Sequence, residues 1–313
     1  MLRPNVSIAF SPGAITNFFE INYNSPVPTG ATGGGYILSK GTTSSATVVL
    51  NGGSELSTVV NGDASYDART TRRAVELLLA GSGKRAKVSL IQNVQTPIGS
   101  GFGASAASAT SAVYAVARAA GIRKAKAELA FFAHRAEIIE QTGLGTVSVI
   151  YDSVGAGAIT VSGEPGSANF VPVRVPRRTK IVTAFVSPFD KKDVFSSGSV
   201  SRRVNRLGHE SLLTFLSDPT LDTLASEGER FSAALGLESV EVKKLIKLAK
   251  SSGASYASQN MIGYSVHSLV EPGSAHRVAR AMHDYSGEIR VDVFEVGSRR
   301  AGVVRPSRTS RDP

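Results

Sequence analysis

Strand and helix patterns interleaved without a regular β-α alternation predict an α+β fold for this chain, not a parallel doubly wound sheet. Two further observations agree. With 313 residues, 42% hydrophobic and 19% charged, the chain can bury one large core or two ordinary ones and is too apolar for a disordered polymer. Its 31 Gly and 13 Pro show no internal repeat and no low-complexity tract.

Residues 6–10 alternate and predict an opening strand that stops at Ser11-Pro12-Gly13, a turn by composition. Residues 30–36 (GATGGGY) hold four glycines and predict a loop or a strand edge where backbone approaches something closely. Strands are expected over 35–39 and 45–49, with Asn51-Gly52-Gly53 as a hairpin turn. An amphipathic helix over 70–80 ends in a left-handed cap at Gly81-Ser82-Gly83, and a strand follows over 86–93. After a glycine-rich loop, a small-residue helix runs to Ala120 and stops at Gly121. A second helix over 124–140 carries Leu129, Phe132, Ala133, Ala136 and Ile139 on one stripe. Thr142-Gly-Leu-Gly145 breaks it, and strands are expected over 147–151, 158–161 and 181–186. Helices over 204–216, 219–234 and 238–251, then residues 261–267, a helix over 274–283 and a last strand over 289–296 finish the fold.

The absence of Cys excludes disulfides, thiolate metal sites and cysteine nucleophiles, and fits a reducing, cytoplasmic compartment. No signal peptide is read at the N-terminus, and the longest uncharged stretch, 94–117, is too rich in Gly, Ser, Thr and Gln to span a bilayer. The formal charge of +10 is concentrated: residues 174–206 net +7 and residues 297–313 net +4. Such basic segments would serve a solvated surface, nucleic acid, or the steering of an anionic small molecule. Nucleic acid is the weakest of the three, because no aromatic residues interleave with the basic ones to stack on bases.

The densest chemical signal is PIGSGFGASAA at 97–107. Its glycines permit positive φ and let main-chain N–H groups turn inward, and the helix that follows adds the positive end of its dipole. That makes an anion cradle, with a plain Gly/Ser turn as the alternative reading. The spacing matches neither the dinucleotide-binding G-x-G-x-x-G nor the lysine-bearing Walker box.

This string resembles the phosphate loop of the GHMP kinases. Residues 10–20 (FSPGAITNFFE) resemble the first motif of that family, in the form seen in archaeal pantoate kinases. Ala133-His134-Arg135-Ala136-Glu137 with Thr142-Gly-Leu-Gly145 is similar to two further signatures of the same subgroup. The resemblance implies a two-lobed GHMP kinase fold: an ATP-binding N-terminal part over 1–165 related to ribosomal S5 domain 2, a ferredoxin-like C-terminal part over 166–300, and a basic tail over 301–313. It implies ATP- and Mg²⁺-dependent phosphorylation of a small hydroxy acid, pantoate giving 4-phosphopantoate for coenzyme A, with a mevalonate-type precursor or homoserine, or a catalytically weak ligand-binding homologue, as alternatives. ATP would lie on Pro97, Gly99, Ser100, Gly101, Phe102, Gly103, Ala104, Ser105 and Ala106, with Mg²⁺ on Ser105 and Glu137. Pro12, Gly13, Gly30, Ala31 and His134 would hold the acceptor, His134 facing its carboxylate. Ser105, Glu137 and Thr146 would form the catalytic set. The sequence leaves a homodimer open.

The chain also departs from the family pattern. Thr146 stands where relatives commonly place an Asp beside the attacking hydroxyl, Ala14 replaces a His, and Ala31 and Thr32 replace a Ser and an Arg. Asp152 is a candidate substitute base. Of the third family motif, expected near 259–266, only Gly263 remains.

Overall fold

The computed structural model describes residues 4–22, 29–50, 53–189 and 198–304. Two sheets organise them. The first takes β1 (Asn5–Asn22), β2 (Gly30–Leu50), β3 (Glu55–Val60), β4 (Ala86–Val94), β5 (Ala156–Val161), β6 (Asn169–Val173) and β11 (Gly302–Val303). Its main path is β11-β1-β2-β4-β3, with β5 and β6 added beside β2. All pairings are antiparallel except β3 with β4. The second sheet is antiparallel, in the order β10 (Arg290–Glu295), β7 (Lys180–Ser187), β9 (Tyr264–Val270), β8 (Tyr256–Gln259).

Helices α1 (Arg69–Gly81), α2 (Ala104–Ala119) and α3 (Lys126–Ile139) cover one face of the first sheet. The alternation in β4 drives this, since Ala86, Val88 and Leu90 point inward against Val75, Leu78, Ala109 and Val113. α2 is buried on nearly every face. Only a small-residue helix fits there, because its alanines let α1, α3 and the sheet approach together. Gly83, at φ +64°, takes the left-handed position after α1, and the Ser82, Gly83 and Lys84 N–H groups close on carbonyls of the last turn. α4 (Thr146–Asp152), α5 (Gly198–Ser217), α6 (Leu221–Leu235), α7 (Val240–Ser251) and α8 (Ala275–Tyr285) complete the chain. Thr220 and Ser239 cap α6 and α7 by accepting from Thr223 and Val242 N–H. α7 and α8 pack on the second sheet, while Phe18, Phe215, Phe231, Phe102 and Phe294 fill a core shared by both sheets. No described helix is long and apolar enough to cross a membrane.

Several expectations need correction. β1 does not stop at Ser11-Pro12-Gly13; it continues through a register shift between Pro12 and Ala14, where a bulge tolerates a residue without N–H. The glycine run 30–35 is strand, not loop; residues 30–32 pair with β1 alone, 33–35 also pair with β5, and the expected close approach occurs at Gly33 and Gly35, where a Cβ would press on the β1 backbone. The strands expected over 35–39 and 45–49 are one strand, and β3 pairs with β4 instead of folding back on β2; Asn51 and Gly52 lie outside the described residues. Residues 147–151 are helical. On α3 the buried stripe is Ala130, Ala133, His134, Ala136 and Glu137, while Ile139 is exposed. β6 was not foreseen and joins the first sheet. Ala301 is buried and Gly302–Val303 pair with β1, so the expected tail is anchored at its start.

Candidate active site

The loop between β4 and α2 places Gly99, Gly101 and Gly103 at φ +80°, +78° and +63°, a backbone that any Cβ would strain. Gly103 is the residue preceding α2, so the loop delivers its N–H groups to a helix start, as an anion cradle requires. The second sheet fastens this loop. Ser100 Oγ donates to the Ser187 carbonyl (2.6 Å), Ser265 Oγ donates to the Ser100 carbonyl (2.6 Å) and Phe189 N–H donates to the Gly99 carbonyl (2.9 Å). Gly263 lies directly against the Ser100 backbone. The remnant of the third motif thus supports the phosphate loop by packing.

At the start of α2, Ser105 Oγ donates to Glu137 Oε1 at 2.6 Å. Glu137 comes from the buried stripe of α3 and is 1% exposed. Thr142 Oγ1 donates to the same oxygen at 3.4 Å and lies 3.1 Å from Thr70 Oγ1 of α1. The chain wraps so tightly around the carboxylate that a Cβ on Gly143 would stand 2.5 Å from Glu137 Oε2.

Two cavities meet here. One is lined by loop residues 98–105 with Val60, Tyr66, Arg69, Thr70 and Phe189. The other is lined by 14–16, 31–37 and 142–146 and is walled by Phe19, Ile159, Phe170 and Ile262. Thr142 lines both. Thr146 lines the second and reaches the cradle, since its Cγ2 would lie 3.0 Å from a Cβ on Gly103. Burial of Tyr36, in the same wall, pushes its phenol upward and keeps it neutral.

Seven residues of the expected ATP set, 99–105, line the first cavity; Pro97 and Ala106 do not. The Ser100 hydroxyl is turned to Ser187, and the Phe102 ring lies in the shared core 6.1 Å from Phe294. Of the expected acceptor set, only Ala31 lines the second cavity, joined by Ala14. Pro12 instead pairs with Gly41 of β2, and Gly13 backs the cradle, where a Cβ on it would lie 2.9 Å from the Phe102 carbonyl oxygen that accepts from Ala14 N–H (3.1 Å). Gly30 pairs with Asn22. His134 is 2% exposed and lines neither cavity. Burial pulls its pKa down against a Thr29 backbone hydrogen bond, so it is a neutral imidazole that brings no charge to a carboxylate. Asp152 also lines neither cavity; Gly166 N–H donates to its Oδ2 (3.2 Å), and burial raises its pKa. Sequence reasoning missed Tyr66, Arg69, Thr70 and Phe189, none of which stands in a motif, and passed over Thr142 although it opens one.

Two cavities thus share a wall at Thr142, one of them bounded by the positive-φ glycine loop at the start of α2. The family model of the GHMP kinases N-terminal domain matches residues 69–151. A pantoate kinase of Methanospirillum hungatei is 24% identical over 267 residues, 83% of this chain and 86% of that one. A mevalonate kinase of Pyrococcus abyssi is 25% identical over 223 residues, 71% of this chain and 62% of that one. The solved structure of a phosphotransferase related to the CoA biosynthesis pathway superposes with a TM-score of 0.85 at 23% identity, covering 96% of this chain and 99% of that chain. Residues 69–151 thus match the GHMP kinase N-terminal domain, and the chain has the GHMP kinase fold.

Proposed function

We propose that the chain transfers the γ-phosphoryl group of Mg·ATP to the primary hydroxyl of pantoate. The observation that carries this reading is the shared wall, where the cradle at Gly103 and Ser105 and the second cavity meet at Thr142 and Thr146. The second cavity combines apolar walls (Phe19, Ile37, Leu144, Ile159, Phe170) with the hydroxyls of Thr16, Thr32, Thr142 and Thr146. Such a surface suits a compact branched alcohol, and pantoate carries two methyl groups beside its hydroxymethyl carbon. The similarity to a pantoate kinase supports the same acceptor.

Glu137 and Ser105 suit Mg²⁺. A buried carboxylate beside a hydroxyl at a phosphate cradle is a hard oxygen donor set, and this ion takes one or two carboxylates while keeping phosphate oxygens and waters. Mg²⁺ would supply neutralisation of the phosphate charge. The proton of Ser105 is directed to Glu137, which leaves the lone pairs of Ser105 Oγ for a cation. The N–H groups of the loop and of the first turn of α2 hold the phosphates, and the second cavity orients the acceptor hydroxyl and excludes water. Thr146 accepts no proton at neutral pH. Phosphoryl transfer through a loose transition state depends mainly on positioning and electrostatics, so forgoing base assistance worth roughly 10²- to 10⁴-fold leaves a slower enzyme and not an inert one.

A coupled ADP-release assay with pantoate, mevalonate and homoserine side by side tests this. Pantoate is expected to give the highest kcat/KM; turnover with mevalonate alone would replace the acceptor, and none with any Mg·ATP pair would remove the reading.

A further inference from the structure

Thr142 is the one residue that lines both cavities among those described. Three contacts fix it. Its N–H donates to the Glu137 carbonyl at 2.9 Å, its hydroxyl donates to Glu137 Oε1 at 3.4 Å, and its oxygen lies 3.1 Å from Thr70 Oγ1. Because the Thr142 proton is committed to a carboxylate, which only accepts, the bond between the two threonines must have Thr70 as donor. The hydrogen bonds therefore run Thr70 to Thr142 to Glu137, with Ser105 meeting the same carboxylate oxygen from α2. Ser105 of α2 and Thr142 of the 142–145 loop thus converge on one oxygen of Glu137 from α3, with Thr70 of α1 behind Thr142.

We propose, resting on the phosphotransferase reading above, that Thr142 is a positioning residue for the metal-binding carboxylate. Its hydroxyl, polarised by Thr70, fixes the rotation of the Glu137 carboxylate so that Oε1 faces Ser105 and the cradle while Oε2 is backed by Gly143. Without that hydroxyl Oε1 keeps its bond to Ser105, but the terminal torsion, a soft two-fold rotor, widens, and the oxygens offered to Mg²⁺ are less sharply placed. Thr142 lies in the partition between donor and acceptor, so this loss falls at the point where the phosphoryl group crosses.

The test compares wild type, Thr142→Val and Thr142→Ser by calorimetric titration with the non-hydrolysable analogue AMPPNP, with and without Mg²⁺, alongside kcat. Removing one hydrogen bond to a charged acceptor is expected to weaken Mg·AMPPNP binding and lower kcat by about tenfold or more in Thr142→Val. Metal-free AMPPNP binding should stay within about twofold, because the cradle is untouched, and Thr142→Ser should restore both losses. Equal weakening with and without Mg²⁺, or a serine variant as impaired as valine, would show that Thr142 only packs and would overturn the proposal. If Thr142→Val does not fold, Thr70→Val is expected to show the same Mg²⁺-selective loss on a smaller scale, and its absence counts equally against the proposal. A wild-type chain that binds neither form of the nucleotide overturns the phosphotransferase reading instead.

Discussion

Replacing Gly143 by alanine puts a methyl group 2.5 Å from Glu137 Oε2 and 2.9 Å from the carboxylate carbon and Oε1. Ordinary contact begins at 3.4 Å, so the carboxylate must retreat by about 0.9 Å. The backbone itself does not object, because Gly143 is not among the glycines at positive φ. A displacement of about 1 Å at a catalytic group is worth roughly 100-fold in rate. The effect on stability is far smaller: overpacking costs about 1–3 kcal/mol, partly offset by about 0.4–1 kcal/mol from the stiffer unfolded chain. At about 2–4 °C per kcal/mol or less in a chain of this size, Tm should move by only a few degrees. Coupled ADP release and a thermal melt on the same preparation separate the two effects. A Gly143→Ala variant that keeps kcat within about threefold of wild type would refute the claim that the position of the Glu137 carboxylate limits the reaction.

Other substitutions and conditions lead to further expectations. Ser105→Ala removes the 2.6 Å hydrogen bond to Glu137 and should cut kcat by at least about tenfold, with a loss of about 1–3 kcal/mol in stability from the undersatisfied buried carboxylate; full activity in this variant would break the metal-site assignment. Thr146→Asp places a negative charge against Gly103 of the cradle and should slow the reaction, so a tenfold gain in kcat at unchanged ATP KM would show instead that the site lacks only a base. Burial pulls the pKa of His267 from 6.5 down to about 3, so below pH 6.5 the unfolded chain takes up a proton that the folded chain refuses. Stability is complete above that pH and falls as pH drops, at up to about 1.4 kcal/mol per unit. His134 acts in the same direction. A His267→Gln variant should therefore show a flatter decline of Tm between pH 6 and 4, and an identical slope would contradict the neutral, buried state.

What could be read in the sequence was what short-range spacing encodes. The glycine turn before α2 was legible because three glycines alternating before a run of small residues have few structural uses, and motif resemblance singled out Ser105 and Glu137, which the fold brings into contact. α4 was misread because Val147, Val149 and Ile150 favour strands by local preference. In the fold, Val147 and Ile150, three residues apart, bury one helical face, and packing overrides that preference. The passage of β1 through Pro12 was hidden because composition does not reveal a bulge. His134 shares a helix face with Glu137, yet spacing alone does not say how deep that face lies. Phe189 carries no local mark, because its place beside Gly99 depends on a contact between two strand ends far apart in the chain.

The fastening of the phosphate loop by Ser187, Phe189, Gly263 and Ser265 gives the site a history as well as a shape. Every residue expected to touch nucleotide phosphate emerges by position 106, while the hydroxyl that grips the Ser100 carbonyl emerges 165 residues after Ser100. A nascent chain halted before β9 therefore displays the whole glycine motif without the Ser265 hydroxyl, held only by the earlier bonds to Ala14, Ser187 and Phe189. The last brace on the loop is thus added late in synthesis, and a chain cut before Ser265 is expected to hold the loop less firmly while every glycine of it is still present.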